Sequence, residues 1–455
     1  MVIHTSINTE TVIKKGFRLD AGAYEIKNIE ILNKIKNSRY TKIKLVGESG
    51  LSLADYPLRF KRTFCSKSQG LAIYQPSQIL EINPKPYKYI SNKTKTDIEK
   101  LKLKLGEIVL TRSGSVGKIS YVNKTLDGLV FSDDLIRIKP KNKPGYLYAL
   151  IKNKVGKLLL VADEYGSVIN HLEPEHLEKI NVPNPPDKIK DKINKLIIKS
   201  FNLRDESNVL ENKAEKILYK NLKTEKYINK KTTTFTTKIN KNEFRLDANY
   251  FNPEVERKIN FFLKNSIKIT NIGNKYYSKS IILPPRFKRN YINSLENGYV
   301  FMGGKQILEL DIEHEKIISK KHHKDIYNKF LKIDENSILI TRSGTIGKIT
   351  IVPKHWTDYA INEHVIRINP ASNNIAGYLY CWLNSDFAKD FINKYTYGSV
   401  VNEIDDNHVS QMVVPLIDTK EIKKINELIL TCNKKRFEAH KLEKKADDMI
   451  YKILE

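Results

Sequence analysis

Gly106-Glu-Ile-Val-Leu-Thr-Arg-Ser-Gly-Ser-Val-Gly-Lys118 and Ser337-Ile-Leu-Ile-Thr-Arg-Ser-Gly-Thr-Ile-Gly-Lys348 are two copies of one segment. In the first copy, the apolar runs Glu107 to Leu110 and Lys118 to Val122 flank a Gly-x-x-Gly turn, which predicts a β-hairpin. Leu135-Ile136-Arg137-Ile138 predicts a further strand, matched by Val365-Ile366-Arg367-Ile368. The copying extends outward in both directions. Phe17-Arg18-Leu19-Asp20-Ala21 recurs as Phe244-Arg245-Leu246-Asp247-Ala248, and Arg59-Phe60-Lys61-Arg62 as Arg286-Phe287-Lys288-Arg289, each 227 residues later. The hairpin recurs after 230 residues, and Tyr165-Gly166-Ser167-Val168 recurs as Tyr397-Gly398-Ser399-Val400 after 232. A drift of five residues across half a chain means one domain copied once. The period is far too long for a solenoid, whose units run about 20–50 residues.

After Gly145 the apolar period changes. Leu147, Ile151, Val155 and Leu159 fall four apart and predict one helix face, kept apolar in the second copy by Leu379, Leu383, Phe387 and Phe391. Each copy then closes with a long run free of Pro and Gly. In the first run Ile193, Leu196, Leu203, Leu210, Ala214 and Ile217 follow the three-four spacing of a coiled-coil seam, interrupted by Ser200 and Ser207. In the second, Ile425, Leu428, Cys432, Ala439, Leu442, Ala446, Met449 and Ile453 keep the register, broken by Lys435. Helices this polar are marginal alone, so each needs a partner, and the other copy is the obvious one. The expected fold is therefore α/β (α+β), with mixed domains at 1–186 and 242–416. Spacer helices follow at 187–222 and 417–455, a Lys-Thr-rich linker lies at 223–241, and the helices pack as an antiparallel coiled coil. Each rod is roughly 50 Å long at about 1.5 Å per residue.

Composition narrows the function. Of 455 residues, 79 are basic and 52 acidic, a net charge of +27 that attracts polyanions. Lysine is also inflated by the Lys-Asn-Ile-Tyr bias of the chain, so the arginines are more telling. The three cysteines, Cys65, Cys381 and Cys432, are scattered with no CxxC, which fits a reducing compartment and argues against a thiolate zinc site. Met1 to Glu10 lacks a signal-peptide pattern, and the apolar runs are too short to span a bilayer. A cytoplasmic protein away from membranes is expected.

The duplicated hairpin segments, together with Tyr165-Gly-Ser-Val and the Val182-Pro183 end of the first domain, resemble the specificity subunits of type I restriction–modification systems. The similar subunits of type IIB systems share these features, and the Phe-Arg-Leu-Asp-Ala segments fit them as readily. The resemblance covers essentially the whole chain. It implies that each domain reads one half of a split site in double-stranded DNA, and that the helices hold the readers apart. It also implies two modification subunits carrying S-adenosylmethionine, and a restriction subunit using ATP and Mg²⁺. No cofactor or metal is expected on this chain, and no catalytic residue.

Residue chemistry suits that job. Phosphate contacts supply affinity and base-edge contacts supply sequence choice. Of fourteen arginines, ten fall in duplicate pairs, 18/245, 59/286, 62/289, 112/342 and 137/367. Duplicated residues should do common work. Arg18 and Arg245, each two residues from an aspartate, read as ion pairs, and Arg137 and Arg367 read as structural. Arg59, Lys61, Arg62 and their copies Arg286, Lys288, Arg289 read as backbone-gripping loops or as solvated faces. Arg112, Ser113 and Lys118, with Arg342, Ser343 and Lys348, read as turns that meet a phosphate or simply turn the chain. Base readers should sit where the copies diverge. Tyr74, Gln75, Ser77 and Gln78 align with the window holding Lys305 and Gln306, and Ser132, Asp133 and Asp134 align with Asn362, Glu363 and His364.

Catalytic patterns are missing. Asn184-Pro185-Pro186-Asp187 lacks the aromatic that ends a methyltransferase motif. Gly114-Ser-Val-Gly117-Lys118 has two residues between its glycines where a phosphate loop needs four. His171 and His176, and the His322-His323 pair, have no metal-ligand spacing. A stand-alone tandem nucleic-acid binder, with no methyltransferase partner, is the alternative.

Overall fold

The computed structural model describes residues 9–14, 35, 37–114, 116–161, 172–228, 234–238, 245–312, 316–398 and 401–454. The chain divides into two compact units, residues 1–205 with 439–455, and residues 206–438. Each unit comprises a mixed head and a stretch from each of two 36-residue helices, Asp187–Leu222 (the first arm) and Thr419–Leu454 (the second arm). Among the described residues, no helix is long and apolar enough to cross a membrane.

In the first head an antiparallel sheet runs in the order Ser52–Asp55, Leu135–Pro140, Ile108–Thr111, Ile119–Tyr121. The hairpin of Ile108–Thr111 and Ile119–Tyr121 is the one the Gly-x-x-Gly segment predicts, with Ile108 opposite Tyr121. All seven of its strand residues are buried, because β-branched side chains fill both faces of the sheet. The second head repeats this order with Ser278–Ile282, Val365–Pro370, Ile338–Thr341 and Ile349–Ile351. Each head also pairs an early strand with the strand that precedes its arm, Lys42–Lys44 with Asn181–Pro183 and Lys268–Asn271 with Val413–Leu416. The helix predicted from Leu147 to Leu159 is two helices, Pro144–Lys152 and Lys154–Val161. Asn153 breaks it by accepting the Val155 amide on its own side chain (3.0 Å).

Each head docks on its arm through a matching contact. The Gly145 amide donates to Asn194 Oδ1 at 2.8 Å, and the Gly377 amide to Asn426 Oδ1 at 2.7 Å. Both glycines are required by close approach: a Cβ at Gly145 would lie 2.9 Å from the Asn194 carbonyl oxygen, and one at Gly377 would lie 2.7 Å from that of Asn426. Tyr146 and Tyr378 complete the match by donating to the carbonyls of Pro183 and Pro415.

The buried stripe of each arm differs from the leucine pattern in the sequence. It runs Ile193, Ile197, Ser200, Ser207, Glu211, Ala214, Leu218 on the first arm, with half-buried Arg204 at the position between the serines, and Ile425, Ile429, Cys432, Arg436, Ala439, Glu443, Ala446, Ile450, Ile453 on the second. Both follow the four-three spacing of a coiled-coil seam. Leu196, Leu203, Leu210, Leu428 and Leu442 lie beside this seam, half-buried. Ser200 and Ser207 do not interrupt it; they are fully buried within it.

The reason is electrostatic. In the first unit Glu443 accepts from Ser200 Oγ (3.0 Å), from Lys152 Nζ (2.9 Å) and from Arg204. Around them Ile193, Ile197 and Phe201 share a core with Ala446, Ile450 and Ile453. In the second unit Arg436 donates to Glu211 at 2.7 Å and to Ser207 and Asn208 at 3.3 Å. Glu211 also accepts from Tyr380 Oη and, at 3.1 Å, from Asn384. Burial works against the Arg436 charge, but Cys432, Glu211 and Tyr380 around it hold the proton on. Small seam residues leave room for these long side chains, and the apolar positions around them each contribute about 1.5–3 kcal/mol.

Candidate nucleic-acid interface

Four segments far apart in sequence meet at one rim of each head. In the first, the Tyr74 amide donates to the Val130 carbonyl (2.8 Å) and the Ser132 amide to the Tyr74 carbonyl (3.1 Å). These bonds lay residues 74–78 beside 132–134. The Arg112 amide donates to the Asp134 carbonyl, which adds the hairpin turn. The fourth segment, 59–62, is tied in by an ion pair from Arg62 to Asp133. The second head repeats each link. Asn362 donates to the Met302 carbonyl (3.0 Å), Arg342 to the His364 carbonyl (2.9 Å), and Arg289 pairs with Glu363 at 2.5 Å.

The turn itself is built alike in both heads. Thr111 Oγ1 accepts the Lys118 amide at 3.0 Å, and Thr341 Oγ1 accepts the Lys348 amide at 2.9 Å. Gly114 and Gly344 both sit at φ +73°, in the left-handed region where a side chain is strained.

The arginines of this rim fall into two sorts. Arg59, Lys61, Arg286 and Lys288 are exposed and make no ion pair among the described residues. Arg62 and Arg289 instead turn inward to Asp133 and Glu363, whose side chains are buried. Although burial opposes it, the Glu363 backbone amide and Arg289 hold that carboxyl below its ordinary value. Arg112 lies 4.2 Å from the Tyr56 ring centroid and pairs with Glu173, while Arg342 pairs with Glu403 at 2.7 Å and donates to the Ile404 carbonyl at 3.0 Å. Burial works against the Arg112 charge, but the hydrogen bond it donates to Glu173, together with the charges of Glu173, Tyr56 and Asp134, raises its pKa above the ordinary value. These four arginines therefore carry neutralised charge and brace the rim.

The divergent windows split in the same way. Tyr74, Gln78, Ser132, Asp133 and Glu363 are buried. Tyr74 stacks on Phe131 at 5.3 Å, and Gln78 Oε1 accepts the Gln75 amide at 3.0 Å. Gln306 repeats that bond with the Gly303 amide at 2.8 Å, so Gln78 and Gln306 share one cap. Left facing outward, wholly or in part, are Gln75, Ser77 and Asp134 in the first head, and Lys305, Asn362 and His364 in the second. Asp134 accepts from Ser113 Oγ, and His364 Nδ1 lies 2.7 Å from Ser343 Oγ. Lys118 and Lys348 are half-buried where they close the turns.

Of the supporting residues, Arg245 pairs with Asp247 at 2.8 Å and donates to the Thr396 carbonyl. Arg18 lies outside the described residues, as do the Tyr165–Val168 segment and His171. Arg137 is buried within its strand and donates to the Lys102 carbonyl at 2.7 Å. The sequence reading missed a sixth duplicate pair, Arg204 and Arg436, whose 232-residue offset matches that of Tyr165 and Tyr397. Glu211 and Glu443 share the offset. Extending the repeat alignment into the polar positions of the arms would have found both.

A sequence model described as the type I restriction modification DNA specificity domain matches residues 67–217 and again 285–447. No curated protein matches the chain. Among solved structures, the S subunit of a type I restriction-modification system from M. genitalium is 11% identical, with 92% of this chain and 96% of that chain covered and a TM-score of 0.35. The HsdS subunit from Thermoanaerobacter tengcongensis is 12% identical over 90% of this chain and 99% of that one, with a TM-score of 0.28.

Proposed function

Because the chain belongs to the type I restriction–modification DNA specificity family, we propose that each head reads one half of a bipartite site in double-stranded DNA. The observation that carries this reading is the convergence of four segments on an equivalent rim in both heads. Arg59, Lys61, Arg286 and Lys288 grip phosphates there, which adds affinity without sequence choice. The outward-facing Gln75, Ser77, Asp134, Lys305, Asn362 and His364 meet base edges. The inward-facing Arg62, Arg112, Arg289, Arg342, Gln78 and Gln306 keep the rim in shape. The arms serve as the spacer that fixes the gap between half-sites.

The chain itself does no chemistry in this reading. Two modification subunits bring S-adenosylmethionine and methylate the site, and a restriction subunit brings ATP and Mg²⁺ for cleavage. Co-expression with the genes that adjoin its own, followed by purification and mapping of methylated bases in the host genome, tests this. The expected result is a stable complex with a methyltransferase and a two-part methylation motif with a fixed gap. Tight, sequence-specific DNA binding by the chain alone, with no methyltransferase co-purifying, would favour a stand-alone binder instead.

A further inference from the structure

We propose that one structurally equivalent position, Asp134 in the first head and His364 in the second, sets which kind of base edge each head selects. The proposal rests on the reading of the two rims as sequence readers. Around this position the two heads are built alike. The residue before it is a buried acid, Asp133 or Glu363, ion-paired to the second arginine of the basic loop. Its own carbonyl accepts the amide of the turn arginine, Arg112 or Arg342. Its side chain is held by the turn serine, Ser113 or Ser343. Backbone and neighbours are thus matched, and the group presented is what differs.

The two groups have opposite hydrogen-bonding roles. An ionised Asp134 only accepts, and among the described residues Ser113 occupies Oδ2 alone, leaving Oδ1 for a donor. In the major groove the donors are the exocyclic amines of cytosine and adenine. His364 Nε2 lies 3.7 Å from Glu363 Oε1, near enough for that carboxylate to favour the hydrogen on Nε2 but beyond hydrogen-bond distance. Nδ1 is then the acceptor for the Ser343 hydroxyl at 2.7 Å. Nε2–H remains as a donor on a side chain 42% exposed, suited to the O6 and N7 acceptors of guanine. Exposed Lys305, which aligns with exposed Ser77, adds a second donor to the second head, whereas the Ser77 hydroxyl can take either role. The first head therefore selects an amine-bearing edge, and the second an acceptor edge of guanine type.

The test uses the full chain in complex with its methyltransferase partner, reading motifs from the methylated genome. Asp134→His is expected to change preference by about tenfold at one base pair of one half-site, away from an amine-bearing base and toward guanine. His364→Asp is expected to do the reverse in the other half-site. Asp134→Asn and His364→Gln serve as near-isosteric variants should the exchanges disturb folding, and each should relax the choice at the same base pair. Arg59→Gln is the control, expected to weaken methylation of all sites alike with the motif intact. If the wild-type complex yields a bipartite motif and both exchanges and both isosteric variants leave it unchanged, the proposal is overturned while the reading of the heads survives. If the wild-type complex methylates DNA with no motif at all, the reading of the heads fails and the proposal fails with it.

Discussion

In the first head the Ser113 hydroxyl meets a carboxylate, Asp134; in the second the Ser343 hydroxyl meets an imidazole, His364. One residue earlier in each head, Arg62–Asp133 and Arg289–Glu363 are the same buried-acid pair made twice. After duplication, a position that braces the fold is constrained by its partner, since changing either member leaves a buried charge alone. A position that faces outward is free to change its hydrogen-bonding role. Similarity at ion-paired, buried positions therefore marks scaffold, and difference at matched outward positions is where the proposed selectivity can arise. The predictions below probe how far the two units are equivalent where they look most alike.

The largest effect is expected in the arms. Arg436 is 3% exposed and pairs with Glu211, whereas Arg204 is 15% exposed and shares Glu443 with Lys152 and Ser200. Arg436→Met should destabilise the second unit by about 3–5 kcal/mol, because it takes the counter-charge from the buried Glu211 carboxylate and leaves it to the neutral donors Tyr380 and Asn384. Arg204→Met should cost the first unit less, roughly 1.5–3 kcal/mol, because Arg204 is less buried and Glu443 keeps a cationic donor, Lys152. Both tryptophans, Trp356 and Trp382, lie in the second unit, so their fluorescence in urea follows that unit alone. Amide exchange at Val109 and Leu110 follows the first. Equal losses would show that Lys152 and Ser200 do not compensate.

How legible the chain was follows the same division. The hairpins and the Arg137 and Arg367 strands could be read because a short apolar run rich in β-branched residues is a local signal, and the 227–232-residue offsets because copying preserves spacing. The arm seam was misread because apolar periodicity weighs Leu196, Leu203 and Leu210 above Ser200, Arg204 and Glu211. Burial of the latter depends on partners some 225–243 residues away. The rim was half legible. Divergence picked out segments that the fold lays side by side, but could not tell Gln78, turned inward as a cap, from Ser77, one residue away and exposed.

A middle-sized effect tests the docking glycines. Gly145→Ala and Gly377→Ala gain helix propensity, worth up to about 1 kcal/mol. The new methyl groups would meet the Asn194 and Asn426 carbonyl oxygens at 2.9 and 2.7 Å, and pushing head from arm costs about 1–3 kcal/mol. Net destabilisation of each unit is expected, with Gly377→Ala at least as severe, measured by the same two probes. A gain in stability in either unit would mean that the head–arm contact yields there.

The smallest effect is a pH dependence that belongs to the second head. His323 is buried, and its Nε2 accepts the Asn290 amide at 2.9 Å, fixing the chain just after Arg289. Burial first, and the neighbouring His322 second, hold its pKa below the ordinary value of 6.5. The folded state therefore binds this proton more weakly than the unfolded chain does. Its contribution to stability is complete above pH 6.5 and is lost as the pH falls through and below that value. A protonated imidazole would also turn a donor toward the Asn290 amide. The tryptophan-monitored urea midpoint should thus decline on acidification below about pH 6.5. His323→Gln, whose amide oxygen can accept the same bond without titrating, should flatten that decline while leaving the midpoint at pH 8 nearly unchanged, at roughly neutral cost. A decline of the same steepness in the variant would place the titrating group elsewhere and would remove His323 from the features that set the two heads apart.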